Sequence, residues 1–519
     1  MRQAIRPKGQ QSQVSGVFSN SAPTGGWNAR DSVANMSPND AIKLINWFPT
    51  TTDVALRGGN EEYATDITGT PKTLAVYNGL NGTNKFFAID VNDIWDISSS
   101  GAASAQSATV TDGKFQYINF GDGTTNYLIC VNGVDAPLYY NGSTWTTITG
   151  ATTPALTGVT LTTLVHVNAY KDRLFFIEKS SLSFWYLTAG AAGGALTEFD
   201  LSAFAVKGGS LMWMATWTLD SGAGPDDYAV FMTSEGEVIV YTGINPSSAA
   251  DWALVGVYQL GKPLGRRSFL KYGGDLIVIC QDGIFPLADA LKQTQTDKHT
   301  ALSDKIQAAF TEAALIYGTN FGWEGVLYPL QSALLFNIPV AEDGMHYQYV
   351  MNSITKSWCE FDSWNGECFA VYNDELYFGQ GNSVYKAWTG YSDNGSNIIA
   401  VAKTAFNYFG NTSQQKRFTL FRPLLQVNGN IGFLTGLDVD FTDNEITGLA
   451  TYTVSARAQW DVSYWDAAYW AAGLEVVRKW TSPSNNVGYC ASGGIKIESN
   501  NLEIHWVAND FVYEQGGII

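Results

Sequence analysis

Seven times between Lys85 and Trp388 the chain repeats one short pattern: an apolar strand, a turn of Gly, Asn or Asp, and a second strand rich in aromatics. The instances begin at Lys85 (KFFAIDVNDIWDI), Tyr127, Arg173, Ala229, Asp275, Ala333 and Glu375 (ELYFGQGNSVYKAW). Their starts lie 42, 46, 56, 46, 58 and 42 residues apart. One such hairpin cannot bury its apolar face alone, so equivalent units must stack or pack radially. Spacing in the forties, with two longer intervals, fits four-stranded blades carrying loop insertions. Unrelated hairpins in sandwiches are the competing reading, but seven similar units exceed what one sandwich needs. The fold class expected is all-β: a β-propeller, a further β-rich domain and one inserted helix.

Composition agrees with turn-rich β structure. Charged residues make up only 15% of the 519, while Gly reaches 52 and aromatics 13%. The net charge of −18 arises from 30 basic and 48 acidic side chains. A surface of that sign repels phosphate, so tight DNA binding is not expected, although DNA passing beside such a wall is compatible with it. The first thirty residues depart from this pattern, holding Arg2, Arg6, Lys8 and Arg30 without one acid. A basic arm of this kind either contacts an acidic partner or nucleic acid, or is a plain tail.

The start MRQAIRPKGQQSQ has no apolar stretch behind its charges, so no signal peptide is expected. No apolar run approaches the ~18 residues needed to span a bilayer. The five cysteines (130, 280, 359, 368 and 490) are dispersed and mostly inside strand patterns, which reads as reduced core residues of a protein made in a cytoplasm. Cys359 and Cys368 flank a turn, where a cross-hairpin pair is the less favoured alternative.

Four stretches divide the chain. Residues 1–24 read as a flexible basic arm, and residues 25–69 as the first part of a platform. The propeller is expected over 70–400, and a C-terminal β-rich platform domain over 401–519. Ser37 and Pro38 before NDAIKLINWF suggest a capped helical turn or an irregular stretch. Between 296 and 317, Leu302, Ile306, Ala309, Phe310 and Ala313 recur at helical spacing, predicting an inserted amphipathic helix. Near the C-terminus, WDVSYWDAAYWAAG sets Trp460, Trp465 and Trp470 five residues apart. That period matches neither a strand nor a helix face, so these rings belong to a loop, as an assembly anchor or a satellite core.

Catalytic signatures are sparse. The four histidines (166, 299, 346 and 505) form no HExxH and lie at no metal-ligand spacing. GxSxG, CxxC and P-loop patterns are missing from the sequence, and Asp122-Gly-Thr-Thr-Asn126 and Asp393-Asn-Gly-Ser-Asn397 lack the ligand ladder of a calcium loop. No catalytic residue, cofactor or metal is expected, and residue types alone point to a structural or binding protein. Carboxylates brought together from distant strands for glycoside hydrolysis remain the enzymatic alternative.

Particular stretches resemble a known group. GGWNARDSVANMSPNDAIKLINWFPTTTDVALRGG, from Gly25, is similar to the opening of tail nozzle (tubular tail protein B-like) proteins of short-tailed bacteriophages. That opening reads GGWNTRD, then an Asp/Pro-rich run, then NWxP and VxxRxG. The likeness continues in FGWEGVLYPLQSALLFNIPV, in QYVMNSITKSWCEFDSWNGECFAVYNDELYFGQGNSVYKAW, in KRFTLFRPLL, in the WD-rich loop and in VYEQGG. The resemblance implies a virion tail protein made in the host cytoplasm: a homo-oligomeric ring, usually a hexamer, below a tail adaptor protein. It implies a propeller with a platform built from the chain ends, neighbouring fibre, spike or needle proteins, and genomic DNA passing through without specific binding. The host cell surface is a further partner to consider. The alternative function is a carbohydrate-binding or glycan-cleaving tail propeller, to which Asn141-Gly142-Ser143-Thr144-Trp145 bears a faint, single resemblance. The candidate assembly contacts are Trp460, Trp465, Trp470, Arg2, Arg6 and Lys8.

Burying one tryptophan ring removes on the order of 200 Å² from water, about 5 kcal/mol before ordering costs. Replacing Trp465 and Trp470 with Ala is therefore expected to weaken subunit association while leaving the propeller folded, as read by size-exclusion chromatography and thermal melting. Unchanged oligomers with a lowered melting temperature would assign these rings to a core.

Overall fold

A computed structural model describes residues 15–220, 225–291, 301–448, 474–483 and 487–516. The chain forms two units: one comprises Gly58–Lys356 and Glu360–Gly395, the other Met1–Arg57, Ser357–Cys359 and Ser396–Ile519.

The first unit is a β-propeller of seven blades. Every hairpin recognised in the sequence supplies the second and third strands of one blade, for example Lys85–Ile89 with Asp93–Asp96 in blade one and Glu375–Gln380 with Ser383–Ala387 in blade seven. The innermost strands are Thr73–Tyr77, Gln116–Gly121, Leu164–Tyr170, Leu211–Asp220, Phe269–Tyr272, Gly325–Tyr328 and Cys368–Tyr372. Each touches the neighbouring blade, and Cys368–Tyr372 returns to Thr73–Tyr77, so the circle closes.

Alternation along the central strands explains why these hairpins look apolar throughout. Successive side chains of a strand point to opposite faces, and here both faces are buried. Phe87 and Ile89 enter the core between blades one and two, whereas Phe86 and Ala88 enter the core between blades seven and one. Leu128 and Cys130 likewise face blade one while Ile129 and Val131 face blade three. Each large side chain buried this way contributes roughly 1.5–3 kcal/mol.

Closure comes from the start of the propeller's own chain. Asn60–Thr65 pairs antiparallel with Ser383–Ala387, setting Ala387 opposite Asn60 and Lys386 opposite Glu61. Residues 58–69, expected to belong to the platform, thus lie in the propeller unit and supply the fourth strand of blade seven, edged by Gly101–Ala102. Among the described residues blade five has three strands, after which the chain enters the short helix Leu287–Ala290. The inserted helix is tighter at its start than the apolar period predicts: Leu302–Ile306 is 3₁₀ and Gln307–Tyr317 is α-helical. Ile306, Phe310 and Ala313 are buried as the period requires, and Phe310 meets the Trp323 ring edge-on at 5.9 Å.

The second unit interleaves both ends of the chain. In one sheet Ile504–Gln515 lies between Lys416–Val427 and Val54–Leu56, and Ser15–Ser21 also pairs along it. In the other, Asp40–Ile45 pairs with Ile398–Thr404, which pairs with Ala491–Ser499. Two expectations change here. Residues 15–21, assigned to a flexible arm, are a strand; and 40–45, read as a helical turn or an irregular stretch, is a strand with Ala41 and Leu44 buried. Pairing with a strand some 360 residues away overrides the local cap signal. Phe18, Phe409, Phe418, Phe421 and Phe511 form the core beneath this unit's first sheet.

All five cysteines are free and buried. Burial pushes the Cys130, Cys280 and Cys368 thiols well above their usual range. Maleimide should therefore label none of the five in the native protein and all five in guanidinium, measured by intact mass.

Candidate functional site at the propeller axis

The N-terminal ends of the innermost strands converge on the axis of the propeller, and the chain places charge there. Arg267 precedes the first strand of blade five and Glu324 that of blade six. Their side chains pair at 3.1 Å, with only 13% and 11% of their surfaces exposed. Arg267 also donates to the Lys72 carbonyl at 3.0 Å, to Thr73 Oγ1 at 2.6 Å and to the Phe115 carbonyl at 2.9 Å. The second carboxylate oxygen of Glu324 accepts the Phe369 N–H at 2.6 Å. One ion pair thus links strand ends from blades one, two, five, six and seven. Burial holds the Glu324 carboxyl above its usual range despite the opposing pull of Arg267.

A second group of charges surrounds this pair. Lys72 is buried and bridges Asp343 at 2.7 Å and Glu367 at 3.0 Å. Burial alone would lower the Lys72 ammonium, but the bonds to Asp343 and Glu367 prevail and raise it. The same contact to Lys72 holds Asp343 below its usual value. Lys114 and Arg267 both approach the Phe321 ring, at 4.8 and 4.9 Å from its centroid. Glu342 accepts from the Phe321 N–H at 3.0 Å and from Lys114 at 3.2 Å. Those bonds outweigh burial and lower its carboxyl. His346 is fully buried 3.8 Å from Glu367, and burial lowers its imidazole below the usual range against the pull of that carboxylate.

Beside the Arg267–Glu324 pair lies a cavity of about 240 Å³. Leu74, Gln116, Tyr117, Phe269 and Phe369 line it together with the pair. Burial pushes the Tyr117 phenol up to about 12. Each of these carboxylates bonds to a cation or an N–H group of the protein itself, which ties strand ends together.

The residues singled out in the sequence, Trp460, Trp465, Trp470, Arg2, Arg6 and Lys8, lie outside the described residues, as does His299. Among the described histidines, His166 is buried with its imidazole lowered to about 3, and His505 sits between Asp53 at 2.9 Å and Glu503 at 3.1 Å. Among the described residues no group of three or more His, Cys, Asp or Glu is placed to hold a metal, and no helix is long and apolar enough to cross a membrane. The axial pair was missed because its members stand 57 residues apart. The available signal was a lone acid at the edge of an apolar strand in GWEGVLY and two adjacent arginines at the edge of another in RRSFL.

This chain is an all-β protein: a seven-bladed β-propeller with a second β-rich unit built from both chain ends. No family model matches it, and no curated protein matches it in sequence. Among solved structures it is similar to BBS1N in complex with ARL6DN, at 10% identity and a TM-score of 0.38 over 66% of this chain and 98% of that one. It is similar also to YCF48 bound to D1 peptide, at 11% identity and a TM-score of 0.35 over 63% and 94% of the two chains. An exo-β-1,3-galactanase from Phanerochaete chrysosporium matches at 11% identity and a TM-score of 0.25 over 79% and 98%.

Replacing Arg267 with Met leaves the Glu324 carboxylate buried without its cation, which is expected to cost about 3–5 kcal/mol in chemical denaturation. Adding Glu324→Gln should recover part of that loss. A double-mutant cycle with no coupling would show that the pair does not hold the blades.

Proposed function

We propose that this chain is a structural, non-enzymatic subunit of a short phage tail: a nozzle protein forming a homo-oligomeric ring, sixfold, that continues the DNA exit channel. In this reading the ring lies below a tail adaptor, contacts fibre, spike or needle proteins, and helps retain and then conduct the genome.

The supporting observation is the place in the fold of the stretches that carry the resemblance. Gly26 of GGWNARD has φ +82°, and a Cβ there would lie 2.6 Å from the Trp358 carbonyl oxygen, in the KSWCEF stretch. Ser357 Oγ donates to the Thr24 carbonyl at 2.8 Å. Arg57 of VALRGG is fully buried and donates to Asn46 Oδ1, in the INWF stretch, at 2.7 Å. Arg422 of LFRPLL pairs with Asp510 at 2.7 Å, shortly before the terminal VYEQGG. Residues far apart in sequence thus hold one another inside the unit woven from the chain ends. Motif residues spent on scaffolding in this way suit a structural role. The net charge of −18 suits a wall past which a polyanion slides.

Negative-stain imaging of the purified full-length chain tests the reading, with sixfold rings around a central channel as the expected result and trimers or dispersed monomers as the result against it. The same rings should retain no duplex DNA at physiological salt. Micromolar, salt-sensitive binding by a chain beginning at residue 31, without the basic arm, would count against an acidic, non-adhesive channel.

A further inference from the structure

We infer that the axial cavity of the propeller is a binding site for a small neutral polyhydroxylated ring, of the size of one monosaccharide unit. This goes beyond the tail role and does not depend on it.

The charges at the cavity are already satisfied. Arg267 is held by Glu324, Thr73 and two carbonyl oxygens, and Glu324 by Arg267 and the Phe369 N–H. A charged ligand would surrender its hydration there without gaining a free counter-charge, so a neutral one is favoured.

Hydrogen-bonding groups are nevertheless left over. The Gln116 side chain is 9% exposed, lines the cavity and makes no hydrogen bond to the described protein. Buried amides of this kind are ordinarily paired, by protein, water or ligand. Tyr117, which also lines the cavity, has no protein hydrogen-bond partner for its hydroxyl, and burial pushes its phenol up to about 12. An amide that both donates and accepts, and a hydroxyl that does the same from the next strand position, give the cavity two separate anchors for alcohol groups.

The remaining walls supply the other half of the recognition. Leu74, Phe269 and Phe369 offer apolar and aromatic surface against which the C–H face of a sugar ring can rest. The volume of about 240 Å³ falls below the ~300 Å³ at which clefts start to hold drug-sized ligands, which limits the occupant to a single ring.

The test uses the full-length chain with D-glucose, D-galactose and N-acetyl-D-glucosamine, observed by saturation-transfer NMR. At least one of the three should bind with a Kd on the order of 1–10 mM, as a small ligand with few polar anchors would. Gln116→Leu and Tyr117→Phe are the variants, each checked for an unchanged melting temperature. Loss of the signal in either folded variant supports the site. Retention in both overturns it, as does the lack of signal from all three sugars at about 50 mM. D-glucuronate binding as well as the neutral sugars would overturn the argument from charge; binding about tenfold weaker is expected.

Discussion

Closing the propeller is the constraint on which everything else in this protein depends. A ring of blades has no free end, so blade seven must take strands from both sides of the gap. Asn60–Thr65 provides the fourth strand and 368–387 the inner three, with the two-residue strand Gly101–Ala102 at the edge. The backbone is stitched further by Gly59 N–H to the Gly390 carbonyl at 2.9 Å and by the bridge between Asn60 and Asp393. This pairing closes a loop of more than three hundred residues, whose entropy cost rises only slowly with length. It also brings the two points at which the chain leaves the propeller close together. That proximity allows residues before Gly58 and after Gly395 to pair strand by strand in a second unit.

The Arg267–Glu324 pair addresses a related problem at the axis. Blades pack face to face, but their innermost strands converge at ends where carbonyls and N–H groups would lose water without gaining partners. A guanidinium suits this place because its planar fork donates in several directions at once. Here it serves Glu324, Thr73 and two carbonyls from different blades. The cost is a carboxylate held in low dielectric, visible in the raised pKa of Glu324. Lys72, with Asp343 and Glu367, repeats the device nearby. The axis is thus held by paired charges in a protein otherwise poor in them.

Much of the propeller was legible in the sequence, for a physical reason. The two central strands of a blade are buried on both faces, so they appear as short apolar runs separated by a tight turn. All seven are recognisable without a partner in view. Other elements lacked such a signal. Asn60–Thr65 (NEEYAT) is a polar fourth strand whose identity depends on Ser383–Ala387. Asp40–Ile45 carries a local cap signal that distant pairing overrides. The cavity-lining Gln116 is one polar residue in an ordinary strand, notable only because Arg267 and Glu324 arrive beside it.

What the sequence determined by itself is therefore local and repetitive: the hairpins, their number, the burial of the cysteines, the helix after blade five and the acidic, weakly charged surface. Short apolar runs and turn chemistry act over a dozen residues and need no knowledge of the rest of the chain. The tertiary structure alone decided which strand closes the ring, how the chain ends interleave and which charges meet at the axis. Each of these joins residues tens to hundreds of positions apart. Their pairing energy exists only once the intervening chain has folded, so no local pattern records it.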